Sequence, residues 1–310
     1  EPSIFLKWKM NRVRSMDLSF AYNTTVPDLI STFGYRNTID PLQISEGNPL
    51  LHNSHSHTTT FGYHRMWLRK QIVLGVSASY RKDINPTATL YRYNSNTGVY
   101  ESKPMNVRGG DEWKFGFNYD QGLGVYFRIM NKFALSKSQS YGFLTIVDNA
   151  DPQAKADLNH QRLLGINENL ELTYETEKLS LTLFNDLTLN RYRYDDASYN
   201  SRPVYNSAGI IASIKLSPVE LWIRLADDFR SGYQTAEMNG HKLMSNASIN
   251  YSFCKNKCRL ALWVDDIFNK DIYYESEYSA YQRVENSANY LHHYMNLKFT
   301  YRFDAKAKKK

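Results

Sequence analysis

The chain has 310 residues, 42% of them hydrophobic, and a formal net charge of +7, which allows one large domain or two small ones. Its mean hydropathy is −0.56, and no run approaches the roughly 18 consecutive apolar residues of a membrane-crossing helix, so a helical membrane protein is excluded. The basic residues are scattered singly except in the tail, Lys306 to Lys310; without a basic stripe, no nucleic-acid partner is expected. The start, Glu1-Pro2-Ser3, lacks the parts of a signal peptide. The expectation is that a leader has been removed or that the chain begins inside a longer protein.

A first strand is predicted near Ile4–Met10, followed by a short turn at Arg12–Arg14 and a long connection from Val26 to Asn53. A second short turn falls at Trp67–Arg69, and a second long connection at Lys82–Gly110. Trp113, Phe115, Phe117 and Tyr119 then alternate with Lys114, Gly116, Asn118 and Asp120. After a turn placed at Gln121–Gly122, Val125, Phe127, Ile129, Phe133 and Leu135 form another apolar face. A long connection (Lys137–Asn159) and a short turn (Thr176–Lys178) follow. Leu179, Leu181, Leu183, Leu187 and Leu189 come next, and then Val219, Leu221, Ile223 and Leu225 after the turn at Ser217–Pro218. At the end Leu291, Met295, Leu297, Phe299, Tyr301 and Phe303 share a face, interrupted by His293, against His292, Tyr294, Asn296, Lys298, Thr300 and Arg302. Period two is the mark of a strand with one apolar face. Asn131, Glu168 and Asn185 interrupt that face.

A soluble sandwich would alternate too. Two features favour a transmembrane barrel. Many segments reach the roughly 9–11 residues needed to cross a bilayer. Short turns also alternate strictly with long connections, the further ones being Asp195–Arg202, Gly232–His241 and Asn269–Asn289, as in barrels with periplasmic turns and extracellular loops. The 24 Tyr, 15 Phe and 5 Trp suit aromatic girdles at a membrane interface. The fold expected is all-β, an antiparallel outer-membrane β-barrel with about 13 strands in this chain. An odd count places the first strand's start outside and the C-terminus in the periplasm. Single-chain bacterial barrels have even counts, so further strands are expected from elsewhere.

The stretch Ile44 to Leu51 (I-S-E-G-N-P-L-L) precedes a strand near His57, Val264 to Asn269 reads V-D-D-I-F-N, and Tyr301 to Phe303 reads Y-R-F. With the loop order, these resemble the C-terminal barrel half of TonB-dependent receptors of the outer membrane. The likeness covers nearly the whole chain: residues 1–303 as barrel, 304–310 as a basic tail beyond the usual terminal aromatic. It implies about 22 strands, an N-terminal plug, a motif that binds TonB, and a last strand read by the barrel-assembly machinery. It implies nutrient import, with lipid and lipopolysaccharide around the barrel. The alternatives are a non-transporting scaffold or surface-complex subunit, with a surface lipoprotein as partner, and a soluble carbohydrate-binding β protein.

Candidate ligand contacts are the loop tyrosines Tyr91, Tyr93 and Tyr100, and Tyr273, Tyr274, Tyr278 and Tyr281, which offer stacking faces; an interface girdle explains them equally. His52, His55 and His57 form an H-x2-H-x-H group, a weak metal candidate. His292 and His293 point to opposite faces. Asp265 and Asp266 are expected on opposite faces of a strand, so not as a catalytic pair. Asp195-Asp196 and Asp227-Asp228 lie near loops, without a D-x-D-x-D-G calcium loop. No nucleophile elbow, phosphate loop or C-x2-C pair occurs, so no enzyme and no cofactor are expected. Cys254 and Cys258 flank a short turn and are expected to oppose each other as a disulfide candidate, with free thiols as the other reading.

Overall fold

In the computed structural model, residues 1–148, 157–269, 273–279, 282–288, 291 and 293–303 are described. Tyr281, His292 and the tail 304–310 lie outside them. One antiparallel sheet of thirteen strands follows the chain order. Its strands are β1 (Ser3–Asn11), β2 (Arg14–Thr25), β3 (Ser54–Trp67), β4 (Ile72–Ile84), β5 (Asp111–Leu123), β6 (Phe127–Phe143), β7 (Leu158–Glu175), β8 (Leu179–Arg193), β9 (Val204–Leu216), β10 (Val219–Ser231), β11 (Gly240–Phe253), β12 (Cys258–Asp265) and β13 (Tyr294–Tyr301). β1 and β13 do not pair with each other, so the sheet is open, with two edges.

Register places side chains of one chemistry side by side. Trp8, Met16, Tyr63, Val76, Phe117 and Phe133 stand abreast from β1 to β6. Leu179, Ile214, Leu221, Ile249, Leu262 and Leu297 do so from β8 to β13. The other face carries rows such as Ser19, Thr60, Ser79, Lys114, Ser136, Gly165 and Asn190.

The apolar rows are not a core. Leu183 is 48% exposed, Leu297 67% and Phe299 61%. Among the described residues the buried apolar positions are only Val107, Phe143, Phe184, Tyr194, Ala226, Met238 and Cys258. Burial of apolar surface is the main drive of folding in water, and so small a core cannot supply it for thirteen strands. The apolar face must meet a nonaqueous surrounding. No helix among the described residues is long and apolar enough to cross a membrane, which says nothing of strands; eleven of the thirteen strands have 9 residues or more.

Several expectations need correction. The turn after β5 is at residues 124–126, where Gly124 supplies φ +73°, while Gly122 continues the ladder by donating to the Gln71 carbonyl (3.0 Å). Val125 therefore sits in a turn. β6 and β7 run on through the expected connection, because Lys137–Phe143 still pairs with 158–164. Ile44 and Glu46 belong to a short strand, Gln43–Glu46. The last strand begins at Tyr294 and ends at Tyr301, so Leu291 and His293 precede it and Phe303 follows it, its ring 4.5 Å from that of Tyr301. Asp266 is not on a strand: it leaves β12 with φ +42° and is buried. Ile267 and Phe268 then turn back, donating to the Ser245 carbonyl (2.8 Å) and hydroxyl (3.2 Å). Cys258 is registered with Phe253, and Cys254 lies in the turn at φ +52° with its thiol in hydrogen-bond contact with that of Cys258; the two are unbridged, the second of the two readings.

Candidate functional site

All six short turns lie at one end of the sheet and the long connections at the other. The long connections build structure of their own. Strands Arg36–Asp40 and Gln43–Glu46 pair as a hairpin and join a second hairpin, Thr87–Asn94 with Val99–Asn106, to which Ile146–Asp148 adds in parallel. Arg36 is 3.6 Å from Glu46 and also bonds Glu101, and Lys103 is 3.7 Å from Glu46, so ion pairs cross the strands that the backbone ladders join. A further hairpin, Tyr273–Tyr278 with Arg283–Ala288, covers the loops after β8 and β10.

Between these loops lie two cavities of about 820 and 960 Å³, with Thr145 and Gln282 in both walls. The first is lined by Asn37, Gln43, Tyr91, Tyr100 and Ser102 among others. The second is lined by Asn159, Tyr194, Tyr199, Arg202, Tyr233 and Arg283 among others. Burial pushes the hydroxyls of Tyr194 and Tyr233 above their ordinary pKa, so both remain protonated donors. Aromatic faces beside amides and hydroxyls suit a ligand with its own apolar faces and many hydrogen-bonding groups.

Glu285 fixes one wall. It accepts from the backbone N–H of Thr235 (2.7 Å) and of Gln234 (3.2 Å), from the Tyr278 hydroxyl (2.8 Å) and from Arg283 (2.6 Å). Burial alone would raise its pKa, but the donors outweigh burial and hold the carboxyl at about 2. The Tyr278 ring stacks on Tyr192 at 4.5 Å.

Of the tyrosines predicted from sequence, Tyr91 and Tyr100 meet at the first cavity, and Tyr93 lies 4.7 Å from Tyr100 as its cross-strand partner. Tyr274 is elsewhere: its ring lies 3.5 Å from Lys242 Nζ and its hydroxyl bonds the Glu237 carbonyl, pinning the hairpin to the sheet. Tyr273 is half exposed beside it. Sequence reasoning did not single out Tyr194, Tyr199 or Tyr233; Tyr199 and Tyr233 lie in predicted long connections, which was the available signal.

His52 parts from the other two, while His55 and His57 share a face and both pack on Tyr22. His55 and His57 lie on the apolar face, His55 2.8 Å from the Tyr22 hydroxyl and His57 4.9 Å from the Tyr22 ring, which makes them part of an aromatic girdle. His52 is in a loop, its N–H donating to Asn106. Among the described residues no three His, Cys, Asp or Glu are grouped to hold a metal. The paired aspartates have local partners: Asp195 with Arg162, Asp196 with the Ser198 N–H, Asp227 with His241, and Asp228 with the Tyr205 hydroxyl.

Residues 1–301 match the outer membrane protein beta-barrel family. The chain belongs to that family. No curated protein matches it. Membership identifies the nonaqueous surrounding: the apolar face of this outer membrane protein meets lipid, and its polar face looks into the barrel.

Proposed function

We propose that the chain forms part of the wall of a TonB-dependent importer, with its long-loop end outside the cell, where the crevice captures a scarce nutrient. One conjunction carries the reading: a sheet of thirteen strands whose edges do not meet, with a ligand-sized crevice among the loops at one end. Backbone groups left unpaired in hydrocarbon cost several kcal/mol each, so β1 and β13 need further strands in the membrane. The completed barrel, of about 22 strands by resemblance, is wide enough to need a plug. In this reading the short turns and the end of β13 are periplasmic, and the cargo passes chemically unchanged. The outer membrane holds no ATP, so the pull on the plug comes from TonB.

The test is growth of cells that depend on the full-length protein over a panel of scarce oligosaccharide, peptide and metal-chelate nutrients, with and without TonB. The expected result is at least one nutrient whose uptake needs both. Tyr91→Ala and Tyr100→Ala should weaken its capture at the cell surface. Normal uptake of every nutrient without the protein, together with its co-purification with a surface lipoprotein, would favour the scaffold reading.

A further inference from the structure

Directly above the lipid-facing belt, the outward face of β7 and β8 changes character within two residues. Along β8 it runs Leu187, Leu189, Arg191, Arg193, and along β7 Ile166, Leu164, Arg162. Arg191 is registered with Leu164, and Arg193 with Arg162. The Tyr192–Ser201 bridge and the bond from the Asn190 N–H to the Pro203 carbonyl (3.0 Å) bring Arg202 opposite Arg191. Arg191, Arg193 and Arg202 line one pocket of about 310 Å³.

Arg162 has a counter-charge, Asp195 at 3.5 Å. The other three guanidinium groups have no carboxylate within ion-pair distance among the described residues, and the Nε of Arg191 is buried without a hydrogen-bond partner. Gathered like charges repel, and a buried donor left unpaired is costly. An anion bound among them relieves both. The depth of the cluster indicates which anion. Leu179 to Leu189 spans one lipid crossing, so Arg191 and Arg193 stand at headgroup level. Ile166, Leu189 and Val204 form an apolar row directly beneath them, with Leu164 level with Arg191 and the polar pair Glu168 and Asn206 flanking Leu187 one step further down. The forked guanidinium matches phosphate oxygens two at a time.

We propose that Arg191, Arg193 and Arg202, with Arg162 at the margin, bind the phosphates of an outer-leaflet glycolipid of the lipid A type, whose acyl chains lie on the wall below. The proposal rests on the outside placement of the long-loop end and not on import. The test measures binding to the full-length protein in detergent by native mass spectrometry and thermal shift. The probes are diphosphoryl lipid A, its dephosphorylated form, phosphatidylglycerol and inorganic phosphate. Diphosphoryl lipid A should bind in discrete stoichiometry and raise the melting temperature. Loss of the phosphates should weaken binding by about tenfold or more. The triple variant Arg191→Gln, Arg193→Gln, Arg202→Gln should abolish that difference. A triple Arg→Lys variant, which keeps charge but loses the forks, should bind at intermediate strength, and it carries the test if the glutamine variant does not fold. Folding is checked by heat-modifiable gel migration. Equal binding with and without lipid phosphates, or unchanged binding in a folded variant, overturns the site. Inorganic phosphate competing as well as lipid A would overturn the lipid as its occupant. A preference for phosphatidylglycerol overturns the outer-leaflet placement, whereas an uptake defect or its absence leaves this proposal untouched.

Discussion

Glu285 ties the hairpin 273–288 to the loop after β10 with one carboxylate, its side chain only 5% exposed. Its pKa is held at about 2 against an ordinary 4.5, so the contribution is fully present above pH 4.5 and fades as pH falls toward 2. Hydrogen exchange of residues 232–235 and 273–279 should therefore stay slow at neutral pH and quicken below pH 4.5. Glu285→Gln should show the fast exchange already at pH 7, with about 1–3 kcal/mol of local stability lost. Exchange that is unaffected by the substitution would mean that the clamp is not formed. Glu168 is a second telling residue. It lies on the lipid face of β7, midway between Tyr174 and Arg162, and accepts from Asn131 Nδ2 at 2.9 Å. A polar pair facing hydrocarbon is expensive. Replacing both with leucine should raise stability by about 1–3 kcal/mol, and Glu168→Leu alone should gain less, because Asn131 is left unpaired. A loss in the double variant, measured by reversible unfolding in lipid, would show that the pair contacts something other than lipid.

At the scale of elements, the two faces should respond oppositely to charge. Arginine at Leu221, Ile223, Leu297 or Phe299 should cost about 2–4 kcal/mol near the bilayer midplane, while Thr300→Arg, on the polar face, should escape that lipid term. Equal losses on both faces in reversible unfolding would contradict the facing. The facing was legible in the sequence because period two survives without tertiary information: Leu179, Leu181 and Leu183 declare one face by themselves. Strand ends were less legible. Above the belt both faces of residues 137–140 are polar, so alternation vanishes there although the ladder continues. Ile267 and Phe268 look like strand residues, but the positive φ of Asp266 sends them back over Ser245. In the loops, Tyr91 and Tyr100 were readable as aromatic candidates. Their joining of Asn37 and Gln43 depends on pairing of Gln43–Glu46 with Val99–Asn106 across more than fifty residues, which no local pattern encodes.

At the scale of the molecule, the architecture is inside out relative to a soluble protein, with leucines outward and serines, amides and charges inward. The open edges of β1 and β13 follow the same logic. Roughly ten backbone groups on each would be stranded in hydrocarbon, a penalty of tens of kcal/mol, which is the ground for the proposal that further strands complete the wall. The lipid-facing assignment supports everything else, including the position of the arginine cluster and the sorting of turns from loops. It is tested most directly by site-directed spin labelling along Leu179 to Leu189 of the full-length protein in lipid, with one label per position and oxygen and a polar nickel complex as competing relaxants. The account predicts period-two alternation: high oxygen accessibility at positions 179, 181, 183, 185, 187 and 189, and the reverse at the positions between them. Uniform accessibility along the strand, or alternation in the opposite phase, would contradict it.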